Sequence, residues 1–253
     1  MHAILPLAIG LVALLYASVG HAGATGYIAV MTLLGMPPAL VRPTALLLNV
    51  IVATIASVQF FRAGHFRSRL FWPLAAASVP CAFVGGAITL PTAAFEAVLG
   101  GVLLASSARM LLDARRPAAA DHPTTEPLPV GRPTVQWAML GGAIGLLSGL
   151  TGVGGGVFLT PALLALGVAP VKTIAAVTAP FILVNSLAGL GGGLLAGRPF
   201  PAAGLPVIAA AVLGGAIGSH FGAFRLPART LRLLMAAVLA FASVKLLGRP
   251  LGL

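Results

Sequence analysis

Two clusters of glycine are the parts of this 253-residue chain whose residue types and spacing could do chemistry. One lies within GLLSGLTGVGGGVFLTP, from Gly145 to Pro161, which has six glycines, one proline and no charged residue. The other is GHAGATG, from Gly20 to Gly26. Glycine costs about 1 kcal/mol relative to alanine inside a helix. Clusters this dense therefore predict that two otherwise apolar helices are interrupted.

A helix that begins after such a break directs unpaired N–H groups and the positive end of its dipole towards the interruption. Successive glycine N–H groups can hold an anion without any cationic side chain, and Gly154–Gly156 and Gly23–Gly26 are the predicted donors. We therefore predict a substrate site for a small anion at the breaks. Its predicted residues are Gly20, His21, Gly23, Thr25, Thr44, Asn49, Thr151, Gly152, Gly154, Gly155, Gly156, Thr178 and Asn185.

The polar side chains of this set have different expected roles. The threonines would add hydroxyl groups, and the two asparagines would orient the oxygen atoms of the anion. The alternative for each is a hydrogen bond between helices or to the backbone. His21 could carry a proton together with an anion, and its alternative is a structural hydrogen bond. Arg42 and Lys172 precede the second span of each half, where they attract anions into a vestibule or anchor the helices at the interface.

The composition is that of a polytopic membrane protein. The chain is 59% hydrophobic and 8% charged, with a mean hydropathy of +1.07, whereas about a quarter of the residues of soluble domains are charged. Several apolar stretches approach the roughly 20 residues that span hydrocarbon. The net charge of +11 comes from basic residues at the ends of apolar segments. That pattern sets membrane topology and does not indicate nucleic-acid binding.

The chain has four acidic residues, Glu96, Asp113, Asp121 and Glu126, and one cysteine, Cys81. Intramembrane carboxylates are the usual cation ligands and proton relays, so their scarcity argues against a cation pump or a metal carrier. One cysteine excludes an internal disulfide and a thiolate metal cluster. We expect no metal and no cofactor.

A polar, proline-rich stretch at residues 113–133 divides the chain into two halves, residues 1–112 and 134–253. Residues match in order across the divide, in pairs such as Gly20 with Gly152, Gly35 with Gly167 and Pro73 with Pro206. This series predicts an internal duplication. In each half the first apolar stretch is broken at the same place: Ala3–Val19 resumes as Tyr27–Gly35, and Val135–Leu150 resumes as Val157–Gly167.

The predicted fold is therefore all-α, with about eight transmembrane helices in two homologous halves, each with a glycine-broken first helix. The unbroken spans are Thr44–Phe61, Phe71–Leu90, Ala93–Leu112, Thr173–Leu195, Ala202–Phe221 and Leu231–Leu247. If each broken segment crosses once, the halves run parallel; if each folds back, there are ten crossings and the halves are inverted. The charge distribution does not choose between the two, and eight crossings is the preferred arrangement.

Two further rows of glycine are spaced four residues apart, one at Gly141, Gly145 and Gly149 and the other at Gly214, Gly218 and Gly222. In a helix this spacing places the small residues on one face. Such rows let the backbones of membrane helices approach closely. We predict that both rows are helix-packing faces.

The stretch GLLSGLTGVGGGVFLTPALLALGVAP, residues 145–170, resembles the sulfite exporter TauE/SafE family of membrane permeases. The family's pattern G-x-x-G-x-G-G-G-x-x-x-x-P-x-L fits Gly149, Gly152, Gly154–Gly156, Pro161 and Leu163, with Thr178 downstream. The first half departs from it, since His21, Ala22 and Ala24 replace glycines and Ala29 replaces a proline. The resemblance implies a multi-pass permease of the inner cell membrane for small sulfur-containing anions such as sulfite or sulfonates.

Other function classes fit the residues less well. An intramembrane hydrolase could pair Ser148 with His220, but the chain has no G-x-S-x-G or H-E-x-x-H motif, so we expect no enzyme. A non-transporting assembly protein and an anion channel are the alternatives to a permease. The expected partners are a small anion and the lipid bilayer, and homo-oligomerisation is left open.

Overall fold

The computed structural model describes residues 4–88 and 134–227, with isolated residues at 104, 108, 230, 233, 234, 236, 237, 240 and 244. The predicted polar stretch at 113–133 and the predicted span Ala93–Leu112 lie outside the continuous described ranges, as does the span Leu231–Leu247. Within those ranges the chain forms eight α-helices. They are α1 (Ile4–Ser18), α2 (Ala24–Leu33), α3 (Pro38–Arg62), α4 (Ser68–Ala87), α5 (Thr134–Thr151), α6 (Gly156–Ala165), α7 (Val171–Leu195) and α8 (Leu205–His220), which a π-helical turn extends over Phe221–Arg225.

These elements confirm the prediction of an all-helical membrane protein of about eight helices. The helices α3, α4, α7 and α8 with its π-helical turn are long and apolar enough to cross a membrane. Large apolar side chains lie on the outside of the bundle, among them Leu7, Trp72 and Leu213. In water such a surface would be costly, and in a bilayer it faces lipid.

The glycine clusters interrupt the chain where the sequence predicts. The first apolar stretch of each half forms two short helices, α1 with α2 and α5 with α6. We name residues 19–23 the first break and residues 152–155 the second break. Gly23 and Gly155, the residues before α2 and α6, have φ angles of 106° and 81°. A side chain disfavours this left-handed conformation, which is why glycine stands there.

Both rows of spaced glycines are packing faces, as predicted. The α5 row lies against carbonyl groups of α4, in the pairs Gly141 with Leu74, Gly145 with Ser78 and Gly149 with Ala82. The other row lies against α1, in the pairs Gly214 with Gly10, Gly218 with Leu14 and Gly222 with Ser18. A Cβ on any of these six glycines would overlap the facing carbonyl oxygen, so each pair of helices packs backbone to backbone. Because residue numbers rise together within the pairs, both helix pairs run parallel.

The direction of α2 follows from these registers. α3 contacts α8 at Val52 with Gly215, and Thr44, nearer the start of α3, pairs with Ala202 just before α8, so α3 runs parallel to α8. α1 also runs parallel to α8. The helix between α1 and α3 in sequence, α2, must therefore run back, and the broken segment of the first half folds on itself. Gly26 of α2 accordingly packs against Val12 of α1.

The same reasoning applies to the second half, where α7 contacts α4 at Asn185 with Ser78 and at Gly189 with Ala82. α5 and α7 both run parallel to α4, so α6 between them runs back. α3 and α7 are antiparallel, since Asn49 meets Ser186 and Leu46 meets Gly189. Of the two arrangements that the sequence leaves open, the packing fits the one in which the broken segments fold back and the halves are inverted, and not the one preferred from the sequence, in which each broken segment crosses once.

Candidate functional site

The second break is a buried loop that contains peptide N–H groups without acceptors among the described residues. Gly152, Gly154 and Gly155 have φ angles of 74°, 82° and 81°, and all residues of the break are buried. The N–H of Gly152 donates to Ser148 O at 2.9 Å. The N–H groups of Gly154–Gly156 have no acceptor among the described residues. Gly156 is the first residue of α6 and Gly155 is its N-cap, and the N–H groups at such a helix start have no intrahelical partner. Gly154 precedes them in the second break.

The first break has the same character. Gly20 and Gly23 have φ angles of 77° and 106°, and the chain is buried from Gly20 to Ala24. The backbone N–H of His21 donates to Tyr16 O at 2.9 Å. The N–H groups of Gly23–Gly26 have no acceptor in the described part of the chain. Both predicted sets of donors thus lack an acceptor among the described residues, and all of them except the half-buried Thr25 are buried. Each set lies at the N-terminus of a helix whose positive dipole end faces the break.

His21 links the first break to the first residue of α6. Its side chain is 2% exposed, with Nε2 3.1 Å from Gly156 O and Nδ1 3.3 Å from Val19 O. Both ring nitrogens therefore face carbonyl oxygens, which can only accept. A neutral imidazole has one N–H and can donate to one of them, whereas the imidazolium donates to both. His21 thus contacts the first residue of α6 and sits where protonation changes its hydrogen bonding.

Asn49 binds the second break near the midpoint of α3. Its Nδ2 donates to Val153 O at 3.2 Å and to Ser186 Oγ at 3.3 Å. Its Oδ1 is buried without a donor among the described residues. The side chain lies directly beside Gly154, where an added Cβ would be 2.5 Å from Nδ2 and 2.8 Å from Ser186 Oγ. Asn49 therefore holds the break against α3 and α7, and its free oxygen accepts rather than donates.

Thr25 and Thr151 also lie at the breaks, where they support the backbone. Thr25 Oγ1 donates to the hydroxyl of Tyr16 at 3.0 Å. Thr151 Oγ1 accepts from Val153 N at 3.1 Å and donates to Ser148 O at 3.4 Å. These bonds match the alternative that the sequence left open for the threonines, namely bonding within the protein.

Three predicted residues are bonded to other parts of the bundle. Thr44 pairs with Ala202, accepting from its N at 3.0 Å. Thr178 Oγ1 lies 3.1 Å from Thr160 Oγ1, although its methyl group faces Gly156. Asn185 donates to Phe181 O at 2.8 Å and accepts from Ser78 Oγ at 2.6 Å. Among the three, only Thr178 contacts a residue next to a break, Gly156 at the start of α6.

Ser148 and Tyr27 lie at the breaks and are absent from the predicted set. Each carries a buried hydroxyl with no partner among the described residues. A Cβ on Gly155 would be 3.3 Å from Ser148 Cβ, and a Cβ on Gly23 would be 3.0 Å from the Tyr27 hydroxyl oxygen. A usable sequence signal existed, because each lies one helical turn from a glycine of its break.

Arg42 and Lys172 lie within helices, not before them as expected from the sequence. Arg42 is one turn inside α3, where Nη2 donates to Gly149 O and its stem packs on Gly152. Lys172 lies in the first turn of α7, at the opposite end of the bundle. Partial burial, followed by the charges of Lys172 and Arg67, lowers the pKa of His65 in the loop between α3 and α4. The two predicted vestibule residues therefore lie at opposite ends of the bundle.

Comparison with known proteins identifies the family of the chain. The family model described as sulfite exporter TauE/SafE matches residues 5–246. A curated relative, "Probable membrane transporter protein y4hK" of Sinorhizobium fredii (strain NBRC 101917 / NGR234), is 38% identical over 245 residues, covering 96% of this chain and 97% of the relative. No solved structure matches the chain. With two inverted, glycine-broken helix pairs and a family match over nearly its whole length, the chain belongs to the sulfite exporter TauE/SafE family.

Proposed function

We propose that this multi-pass membrane transporter is a secondary carrier for a small anion, specifically a sulfur-containing one such as sulfite or an organosulfonate. The observation that carries the proposal is the pair of buried helix N-termini at Gly23–Gly26 and Gly154–Gly156, whose N–H groups have no acceptor among the described residues. Unpaired backbone donors at membrane depth are tolerated where they line a cavity or meet a ligand. An anion satisfies them and matches the helix dipoles.

The inverted arrangement supports alternating access. In carriers built from inverted repeats, broken helices form the site at the repeat interface, and one unit moves against the other. The second break is fastened by Asn49 to α3, and His21 fastens the first break to Gly156. We infer that opening towards either side exchanges these few polar contacts for contacts to the anion.

The charge distribution suggests an orientation. Five basic residues of the described ranges lie at the end of the bundle where α3 and α8 finish: Arg62, Arg67, Arg69, Lys172 and Arg225. Two, Arg42 and Arg198, lie at the other end. Because cytoplasmic loops carry the excess of Lys and Arg, we propose that the Arg62 end is cytoplasmic and that α1 starts on the outer side.

Purified protein in proteoliposomes is expected to show saturable uptake of sulfite or a sulfonate that accelerates in counterflow, because a carrier must return its site to the starting side. A panel of sulfite, sulfonates, thiosulfate and carboxylates, measured by thermal stabilisation, identifies the anion class. Stabilisation by carboxylates or cations alone would contradict the sulfur-anion proposal. Flux that neither saturates nor responds to counterflow would identify a channel, and no flux for any anion would favour a non-transporting protein.

His21→Gln is expected to uncouple anion flux from proton movement, since glutamine can donate to Gly156 O but cannot carry a proton. The measurement is the internal pH of liposomes during anion uptake, recorded with a trapped pH-sensitive dye. The matched control is His220→Gln, because His220 is exposed beside Phe224. An unchanged ratio of protons to anions in His21→Gln would assign His21 a structural hydrogen bond only.

A further inference from the structure

A cleft opens where α3 begins and where α4 and α7 end. Its walls include Arg42, Arg198 and the backbone of Gly86, Gly189 and Gly193. It contains about 230 Å³ of space outside protein atoms, open solvent included. The cleft is thus lined by two arginines, by glycine backbone and by the apolar side chains of Pro43, Leu46, Leu190 and Leu194.

The two arginines of the cleft have no carboxylate partner in the described part of the chain. All four acidic residues of the protein fall between positions 96 and 126, outside the described residues. Arg198 donates from Nη2 to Ile88 O at 2.8 Å, and its Nε is buried without an acceptor among the described residues. Like charges that share a cleft repel each other. An oxyanion between them would offset that repulsion and accept a hydrogen bond from the free Nε–H of Arg198.

Glycines fix where the arginine side chains lie. A Cβ on Gly193 would be 3.0 Å from Arg198 Cδ, so the Arg198 stem packs directly on the α7 backbone. A Cβ on Gly152 would overlap Arg42 Cγ, so the Arg42 stem packs on the first residue of the second break. The planar guanidinium group binds oxyanions through paired N–H bonds. Held in these positions, the two groups offer such bonds from opposite halves of the chain.

The cleft is connected to the second break through Arg42, whose guanidinium group donates to Gly149 O at the end of α5. An oxyanion in the cleft competes with that carbonyl for the same donor. We propose that the Arg42–Arg198 cleft is a second binding site for a small oxyanion, from which the anion is passed to the second break when Arg42 releases Gly149. The passing step rests on the function proposed above, whereas binding at the cleft does not.

The test is sulfite and sulfate affinity, measured by calorimetric titration of the full chain in nanodiscs of zwitterionic lipid. Arg198→Gln is expected to weaken binding about tenfold, the effect of losing a charge-assisted hydrogen bond, and Arg198→Lys is expected to weaken it less. The control Arg69→Gln removes an exposed charge at the opposite end of the bundle and is expected to leave affinity unchanged. Equal affinities of wild type, Arg198→Gln and Arg69→Gln would overturn the proposal.

Two further arms separate this site from the break and from lipid. In Gly154→Ala, which alters the break, sulfite is expected to bind with the same dependence on Arg198. If the protein binds anions through Arg198 but transports none, the cleft site is supported and the proposed function is refuted. If it transports anions but its binding does not depend on Arg198, the proposed function is supported and the cleft site is refuted. If free anions bind in zwitterionic nanodiscs but not in nanodiscs of phosphatidylglycerol, a lipid phosphate group competes for the same oxyanion site. Binding that is insensitive to both lipid and Arg198 would refute the site.

Discussion

Gly154→Ala is expected to lower anion transport at least tenfold while the protein still folds. The new methyl group would lie 2.5 Å from Asn49 Nδ2 and 2.8 Å from Ser186 Oγ, so it would displace the two side chains that hold the second break. It would also stand among the unpaired N–H groups of Gly154–Gly156. A loss of about 1.4 kcal/mol in transition-state binding corresponds to tenfold in rate. The measurement is initial uptake into proteoliposomes at equal protein content.

The control for backbone strain is Gly35→Ala. Gly35 has a φ of 75°, close to the 82° of Gly154, but an added Cβ there has nothing within 4 Å. Both variants carry the left-handed penalty of about 1–2 kcal/mol, and only Gly154→Ala touches the break. If the two variants transported equally well, the second break would not contain the anion site.

Gly145→Leu is expected to cause the largest loss of stability among the glycine variants. Gly145 faces Ser78, where a Cβ would lie on the carbonyl oxygen and 2.5 Å from Oγ. Backbone on both sides leaves no flexible side chain to move, so α4 and α5 would separate and Ser78 would lose Asn185. Overpacking costs about 1–3 kcal/mol or more, and each kcal/mol shifts the Tm of a protein this size by about 2–4 °C. We expect a Tm lowered by about 10 °C, or no folded protein, in fluorescence-detected size exclusion and thermal unfolding.

Gly142→Leu provides the comparison on the same helix. An added Cβ at Gly142 would be 3.5 Å from Cys81 Sγ and 3.7 Å from Ala77 Cβ, which are ordinary contacts with side chains. This variant is expected to keep its Tm within a few degrees. A Tm for Gly145→Leu as high as that of Gly142→Leu would contradict the backbone-to-backbone packing of α4 with α5.

Much of the fold could be predicted because glycine leaves a strong local signal. The clusters at Gly20–Gly26 and Gly152–Gly156 mark both breaks, since a dense run of glycine cannot keep a helix continuous. The rows with a spacing of four identify packing faces, because that spacing alone defines a helix face. The predicted helix ends can also be close to the observed ones, since α5 covers Thr134–Thr151 and the sequence predicted Val135–Leu150.

The hydrogen-bond partners of the site residues were less predictable. A polar residue in an apolar span indicates burial but does not indicate the group to which it bonds. Asn49 and Asn185 look alike in sequence, yet Asn49 holds the second break and Asn185 bonds within α7 and to α4. Ser148 and Tyr27 each lie one helical turn from a glycine of a break, which the sequence shows, but only the packing shows that their buried hydroxyls have no partner among the described residues. Arg198 lies in the loop between α7 and α8, and only the packing of the bundle brings it into a cleft with Arg42.

By itself the sequence determined the membrane class, the positions of the breaks and the packing faces, all of which depend on local composition and helical periodicity. Only the tertiary structure decided that the broken segments fold back and that the halves run in opposite directions. Helix direction depends on which faces meet, such as Gly145 with Ser78 and Asn49 with Ser186. Residues in these pairs lie more than sixty positions apart. No window of local sequence contains both members of such a pair, so only their packing reveals it.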